Sequence, residues 1–339
     1  MHVFVTGGAG FIGSHTLVQL LRQNIQVTAF DNYSNSSPIA LARVKRLAQS
    51  DFSIVEGDIC DQAGLRAAMQ AAKPDAVIHF AGLKAVGESA EKPLAYYRNN
   101  IAGSISLLEA MDCVGCRNIV FSSSATVYDP VKQPPFTEED PLGAASTYGR
   151  TKQFIEEIIR DWSAANPEAS AVILRYFNPV GAHASGEIGE DPVGIPNNLM
   201  PFISKVAQGS LPQLQVFGED YATTDGTGAR DYIHVEDLAS AHLAALGYTD
   251  QNKGCETFNI GTGRATTVLE MVRAFEKATG KSIPYTIADR RAGDVSTTVA
   301  DVSKATRVLG WKAKYDIDAM CQSSWNWQSR NPRGYDNAG

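Results

Sequence analysis

Tyr148 and Lys152 stand one helical turn apart in Tyr148-Gly149-Arg150-Thr151-Lys152, ahead of Phe154, Ile155, Ile158 and Ile159 at helical spacing. An i, i+4 separation stacks both side chains on one helix face. Tyrosine is a poor base at its ordinary pKa of about 10. A neighbouring ammonium favours the phenolate and makes proton removal accessible. Such pairs are common on helices, so the weight of this one depends on its company. Ser122-Ser123-Ser124 closes an apolar strand upstream, and a glycine cluster lies about 135 residues before Tyr148.

That cluster, Gly7-Gly8-Ala9-Gly10-Phe11-Ile12-Gly13, follows the strand His2–Thr6 and opens a helix. It fits G-x-G-x-x-G through Gly8, Gly10 and Gly13, and G-x-x-G-x-x-G through Gly7, Gly10 and Gly13. Close backbone approach to a pyrophosphate requires such glycines, and the helix N-terminus adds free N–H groups and partial positive charge. In strand–turn–helix context the signature is that of a dinucleotide site. Asp31 ends the next strand, 18 residues past Gly13. A carboxylate there accepts both ribose hydroxyls and repels a 2′-phosphate, so the expected cofactor is NAD. The competing reading is a surface Asp opening the turn Asp31-Asn32-Tyr33-Ser34. Asp58, in Gly57-Asp58-Ile59, either reaches the adenine or caps a helix.

The elements that must position these groups alternate along the first half of the chain. Strands are expected at His2–Thr6, Val27–Phe30, Ser53–Glu56, Ala76–Phe80, Asn118–Ser122 and Ala171–Arg175. Helices are expected at Phe11–Gln23, Leu41–Gln49, Gln62–Ala72 and, as one long run, Pro93–Met111. Near-continuous apolar strands fit a parallel sheet covered on both faces. The fold class is therefore α/β, a Rossmann-type doubly wound parallel sheet with a smaller discontinuous C-terminal substrate-binding domain. After Phe177 the rhythm breaks. Residues 178–230 carry one clear helix, near Asn197–Gln208. Asp231–Gly247 reads as helix and Thr257–Gly261 as strand. The boundaries expected are 1–177 for the NAD domain, with 231–261 returning to it, and 178–230 plus 262–339 for the substrate side.

Lys and Arg number 30 against 37 Asp and Glu, a net charge of −7. This balance offers no general footprint for nucleic acid. No run approaches a membrane span, and Met1 leads straight into Val3-Phe4-Val5 with no leader pattern, so a cytoplasmic location is expected. Cys60, Cys113, Cys116, Cys255 and Cys321 read as free thiols; the lone Cys113-x-x-Cys116 lacks the second pair a zinc site needs, and no metal is expected.

Taken together, the glycine loop, Ser124, Tyr148 and Lys152 resemble the extended branch of the short-chain dehydrogenase/reductase superfamily. Longer strings are similar to the UDP-glucose 4-epimerase family: Phe80–Ser89, Ser122–Tyr128, Arg175–Ala182, Gly194–Pro201 and Arg230–Val235. The resemblance covers nearly the whole chain. It implies that Ser124 and Tyr148 hydrogen-bond the sugar 4-hydroxyl and that Lys152 binds the nicotinamide ribose. It further implies NAD contacts from Gly7, Gly10, Phe11, Ile12, Gly13, Asp31, Asn32, Asp58, Ile59, Phe80, Ala81, Gly82, Lys84, Asn99 and Phe177. The UDP-sugar would be held by Lys84, Thr126, Tyr176, Asn178, Asn198, Leu199, Gln215, Phe217, Arg230, Arg291, Asp294 and Thr298. Arg230 and Arg291 are read as lying in Gly-rich loops, and guanidinium forks suit a diphosphate.

Family members restricted to plain hexoses carry a Tyr where this chain has Thr298, so room for an N-acetyl group is expected beside the sugar C2. The nearest rival, a sugar-nucleotide 4,6-dehydratase, uses an Asp-Glu pair directly after its active-site Thr. This chain has Ser124-Ala125-Thr126 and no carboxylate until Asp129. A catalytically silent NAD-sensing protein is the rival from another class, and retention of Ser124, Tyr148 and Lys152 together argues against it. The helices at Pro93–Met111 and Tyr148 are those the superfamily pairs into a homodimer. Ile101, Ile105, Leu108, Ile155 and Ile158 serve either that interface or the core.

Overall fold

The computed structural model describes residues 1–192, 198–291 and 294–337. In chain order the elements are β1 (His2–Thr6), α1 (Phe11–Arg22), β2 (Gln26–Asp31), α2 (Pro38–Ala48), β3 (Ser53–Glu56), α3 (Gln62–Ala72) and β4 (Ala76–His79). Next come α4 (Val86–Glu91), α5 (Pro93–Tyr96), a π-helical stretch (Tyr97–Ala102), α6 (Gly103–Val114), β5 (Asn118–Ser122), α7 (Thr147–Ala165) and β6 (Ser170–Tyr176). The remainder comprises β7 (Asn178–Val180), α8 (Leu199–Gln208), β8 (Leu214–Phe217), β9 (Ala229–His234), α9 (Val235–Thr249) and β10 (Gly254–Ile260). It closes with β11 (Ala265–Thr267), α10 (Val268–Thr279), β12 (Tyr285–Ala288), β13 (Thr297–Thr298) and α11 (Ile317–Arg330).

Among the described residues, seven strands form one parallel sheet in the order β10-β6-β5-β4-β1-β2-β3. Alternate residues serve opposite layers, as strand geometry dictates. Val3, Val5, Ile78, Val120 and Val172 pack with Leu17, Leu20, Leu238 and Ala241 of α1 and α9. Phe4, Val77, Ile119, Phe121 and Ile173 pack with Leu65, Met69, Leu107, Ile155 and Ile159 of α3, α6 and α7. The central strands β1, β4, β5 and β6 are thus apolar on both sides, which explains their unbroken runs, whereas the edge strand β3 is mostly exposed. The last strand, β10, pairs with β6 from Gly254 opposite Ser170 to Ile260 opposite Tyr176.

The smaller unit has its own core of Val180, Met200, Ile203, Val216, Tyr232, Met271, Phe275 and Met320. Its small sheet runs β11-β9-β13 with β7 also on β9, and β12 pairs with β8.

Three element expectations change. Residues 229–234 are strand, not the start of a helix, and β9 belongs to the small sheet while α9 and β10 pack on the large one. Asp231 makes this possible: fully buried, it accepts hydrogen bonds from Thr262 N and Oγ1, Gly263 N and Ala300 N. The expected run Pro93–Met111 is interrupted by the π turn. There Asn100 leaves the helix surface to exchange hydrogen bonds with the backbone of Leu83, at 2.8 and 3.0 Å. Residues 178–230 hold β7 and β8 besides the one expected helix, whose described part starts at Leu199.

Candidate active site

The strand order reverses beside β1, and ligands of such sheets bind at the carboxyl ends of the strands around that point. The glycine loop lies there. Gly7 has φ +70°, and a Cβ on it would sit 2.7 Å from Ala81 N. A Cβ on Gly13 would sit 2.3 Å from the Gly7 carbonyl oxygen, so loop and helix touch backbone to backbone. Gly10 is different: its Cβ would meet only that same oxygen, at 3.3 Å, and otherwise open space. Gly10 also caps α1 without any side-chain hydrogen bond, leaving Phe11 and Ile12 at an uncapped helix start. An open cradle at free N–H groups fits a pyrophosphate.

Asp31 is 8% exposed and accepts from Ala9 N at 2.9 Å, Tyr33 N at 2.9 Å and Ser36 Oγ at 2.8 Å. It is tied to the glycine loop, not left as a free surface group, although it also opens the turn. Asn32 donates to Asp58 at 3.0 Å, and Asp61, not Asp58, caps α3. The helix-cap alternative for Asp58 is therefore excluded. Ile59 is buried against Gly103. Phe80 packs on His242 at 4.7 Å between centroids, Ala81 follows it, and Asn99 donates to Asn100 at 2.9 Å. A Cβ on Gly82 would come 3.9 Å from Lys152 Nζ. Phe177 is buried with Tyr128 and Phe136.

α7 starts where Ser146 caps the Gly149 N–H, one residue before the helix proper, so Tyr148 lies in the first turn. Tyr148, Lys152 and Ser124 are 7%, 4% and 8% exposed. Lys152 Nζ donates to the Ser122 carbonyl at 2.8 Å and lies 6.0 Å from the Tyr148 ring centroid. Burial pushes the Tyr148 phenol well above its ordinary range, and the Ser124 hydroxyl opposes this by hydrogen bonding. Burial also lowers Lys152 to about 8, against the pull of Glu156. The protein alone therefore keeps Tyr148 protonated, and removing a substrate proton depends on positive charge placed beside it.

The substrate-side residues gather less evenly. Thr126 donates to Ser124 Oγ at 3.0 Å, and Tyr176 lies 6.5 Å from His242 between centroids. Asn178 starts β7 opposite Tyr232, and Leu199 starts α8. Lys84 and Asn198 meet on one carboxylate, 3.2 and 3.1 Å from Glu190 Oε1, a residue not singled out from sequence. Arg230 is on strand β9, not in a loop, and its guanidinium pairs with Asp294 and donates to Val295 O at 3.0 Å. Arg291 lies 3.9 Å over the ring of Phe217 on β8, the strand that also carries the exposed Gln215. Thr298 pairs in register with Arg230. Residues 194–197, the first half of the stretch Gly194–Pro201, lie outside the described residues, as do 193 and 292–293.

Glu156 and Arg175 were also passed over. Both are buried and joined by hydrogen bonds of 2.6 and 3.0 Å. The only sequence signal was a Glu at i+8 from Tyr148, between the inward-facing Ile155 and Ile159.

Fold and site together define a dinucleotide-dependent short-chain dehydrogenase/reductase of the extended type. A family model described as GDP-mannose 4,6 dehydratase matches residues 4–324. The chain is 57% identical to UDP-glucose 4-epimerase 2 of Arabidopsis thaliana, over 99% of its own length and 97% of that protein's. It matches the structure of UDP-glucose 4-epimerase from Bifidobacterium longum in complex with NAD+ and UDP, with 50% identity, a TM-score of 0.95, and 98% and 100% of the two chains covered. It also matches the UDP-Glc/GlcNAc 4-epimerase of Campylobacter jejuni, at 38% identity, a TM-score of 0.86, and 97% and 99% covered. The chain belongs to this extended family and, within it, to the UDP-glucose 4-epimerases.

Proposed function

We propose that the protein interconverts UDP-glucose and UDP-galactose by inverting C4, with NAD as a resident cofactor. The observation that carries the reading is the convergence of Tyr148, Ser124 and Lys152 at the end of β5, in the same parallel sheet whose β1 ends in the glycine loop. NAD, held by the loop Gly7–Gly13 and Asp31, would supply a reversible hydride acceptor for the sugar C4, so no net redox change would result.

Tyr148 is the base for the 4-hydroxyl proton, Ser124 holds the same oxygen, and Lys152 supplies the positive charge that the buried phenol needs. The sugar must turn while the nucleotide stays fixed, a task for groups that fix the UDP alone. Arg230 on β9 and Arg291 over Phe217 suit that role. Elimination would need an acid directly after Ser124, where this chain has Ala125 and Thr126, and the first carboxylate downstream, Asp129, accepts the Val131 N–H at 2.9 Å.

Residues 1–177 with α9 and β10 are read as the NAD domain, and the remainder as the UDP-sugar domain. We read the protein as a cytoplasmic homodimer. In support, Leu94 and Phe154, on α5 and α7, are 77% and 47% exposed, and the five cysteines are unpaired. Among the described residues no helix is long and apolar enough to cross a membrane.

The decisive test is to incubate the purified protein with UDP-galactose and analyse the products. UDP-glucose is expected, and a 4-keto-6-deoxy product would overturn the assignment.

Thr298 bears on sugar range. It is half-buried beside Arg230, and Val299 behind it is buried and small. A side chain smaller than Tyr at this position would leave room beside the sugar C2, so UDP-N-acetylgalactosamine is expected to be a second substrate. Thr298→Tyr is expected to cut the N-acetylhexosamine-to-hexose activity ratio by about tenfold or more. An unchanged ratio would remove Thr298 as the gate.

A further inference from the structure

The Tyr148 face of α7 carries a third buried polar residue, two turns on. Glu156 is 0% exposed, and its Oε1 accepts a 2.5 Å hydrogen bond from Ser123 Oγ. One turn before it, Lys152 holds the carbonyl of Ser122. The helix therefore grips two consecutive residues of the segment that ends β5, and the next residue is Ser124.

Glu156 is itself fixed from a second strand. Arg175 on β6 is 2% exposed and donates Nε to Oε1 at 3.0 Å and Nη2 to Oε2 at 2.6 Å. Arg160 adds a 2.9 Å bond to Oε2. β6 lies beside β5, with Leu174 opposite Ser122 and its carbonyl accepting from Ser123 N at 2.9 Å. Helix, strand end and neighbouring strand close a triangle. The free end of Arg175 reaches the Glu138 carbonyl at 3.1 Å and the Tyr128 hydroxyl at 3.2 Å, in the loop that follows Ser124. A buried ion pair gains little stability over an apolar pair of the same shape. Stability alone therefore does not account for this cluster, whereas a need for fixed geometry does.

We propose that Glu156 is a positioning residue of the epimerase reaction, which, locked by Arg175, holds Ser123 and so sets Ser124 against Tyr148. The proposal rests on the assignment of Tyr148 and Ser124 to the sugar 4-hydroxyl. The carboxylate also faces Lys152 along the helix and sustains its charge. The other groups facing this pair are Tyr148 and Arg160 on α7, Arg175 on β6, Cys255 on β10 and His79 on β4. His79, pushed down to about 3 chiefly by burial, is neutral over the working range.

Two variants of the full-length, NAD-loaded enzyme test this, assayed on UDP-galactose. Ser123→Ala removes the link and leaves the ion pair in place. It is expected to lower kcat by about tenfold with KM and thermal stability close to those of the parent, since small misplacements act on the chemical step. Glu156→Gln is expected to lower kcat at least as much. It should also move the alkaline limb of the kcat–pH profile to lower pH, because Lys152 loses the negative charge that favours its protonated form. A structural stitch would instead lower the melting temperature while kcat per folded enzyme and the pH limb stayed put, and that result overturns the proposal. If Glu156→Gln fails to fold, Ser123→Ala decides alone: parental kcat there refutes the positioning role. Failure of the underlying assignment reads differently, as a parent enzyme that makes no UDP-glucose.

Discussion

Tyr148→Phe is expected to lower kcat on UDP-galactose by about three orders of magnitude, within the range for losing a general base, and to leave UDP affinity unchanged. The ring keeps its place in the first turn of α7, buried near Lys152, so packing is conserved. Only the phenol oxygen is lost, and with it the group to which Lys152 lends its charge. The substitution removes one hydrogen bond, to Ser124, and no packing, so the melting temperature should change little. Steady-state kinetics with UDP-galactose, beside a titration with UDP, separates the two effects. A kcat near that of the parent would take the base away from Tyr148.

Gly13→Ala strikes the cofactor cradle instead. The new methyl would sit 2.3 Å from the Gly7 carbonyl oxygen and 2.9 Å from Gly8 Cα, and neither backbone atom can rotate aside. α1 must move off the loop, taking the N–H groups of Phe11 and Ile12 with it. NAD affinity is expected to fall by about 100-fold, as for a misplacement of about 1 Å. The overpacking costs about 1–3 kcal/mol, or a melting temperature lower by about 2–10 °C. Gly247→Ala in α9, where nothing lies within 4 Å, is the control and should be neutral or slightly stabilising. Calorimetric NAD titration and thermal melts read both variants. Parental NAD affinity in Gly13→Ala would detach the glycine loop from the cofactor.

The parts of this fold that were legible in the sequence are those where one physical demand acts on every residue of an element. Ala76–His79 and Asn118–Ser122 are covered on both faces and read as apolar runs. The glycine loop is legible because backbone contact excludes side chains at fixed spacing. β9 was misread because Arg230-Asp231-Tyr232-Ile233-His234 carries a buried carboxylate whose four donors lie 30 to 70 residues away in sequence. The π turn at Tyr97–Ala102 escaped notice because its cause, the Asn100 contact with Leu83, lies outside the helix. The site divides in the same way. Tyr148 and Lys152 are neighbours on one helix and announce each other. Glu156 and Arg175 become partners only when α7 lies across β6, and Glu190 becomes one only when Lys84 and Asn198 converge on it.

The pairing of β10 with β6 orders events during synthesis. Gly254 lies opposite Ser170, so the chain leaves the large sheet at β6, builds much of the smaller unit, and returns some 80 residues later to finish it. Until then β6 is an open edge carrying Ala171, Val172, Ile173 and Leu174, all buried in the finished protein. An apolar edge of that kind is a template for pairing with another chain. Such long-range closure is also slow to form. The unfinished large sheet therefore exposes an apolar edge from the synthesis of β6 until β10, its last strand in chain order, leaves the ribosome.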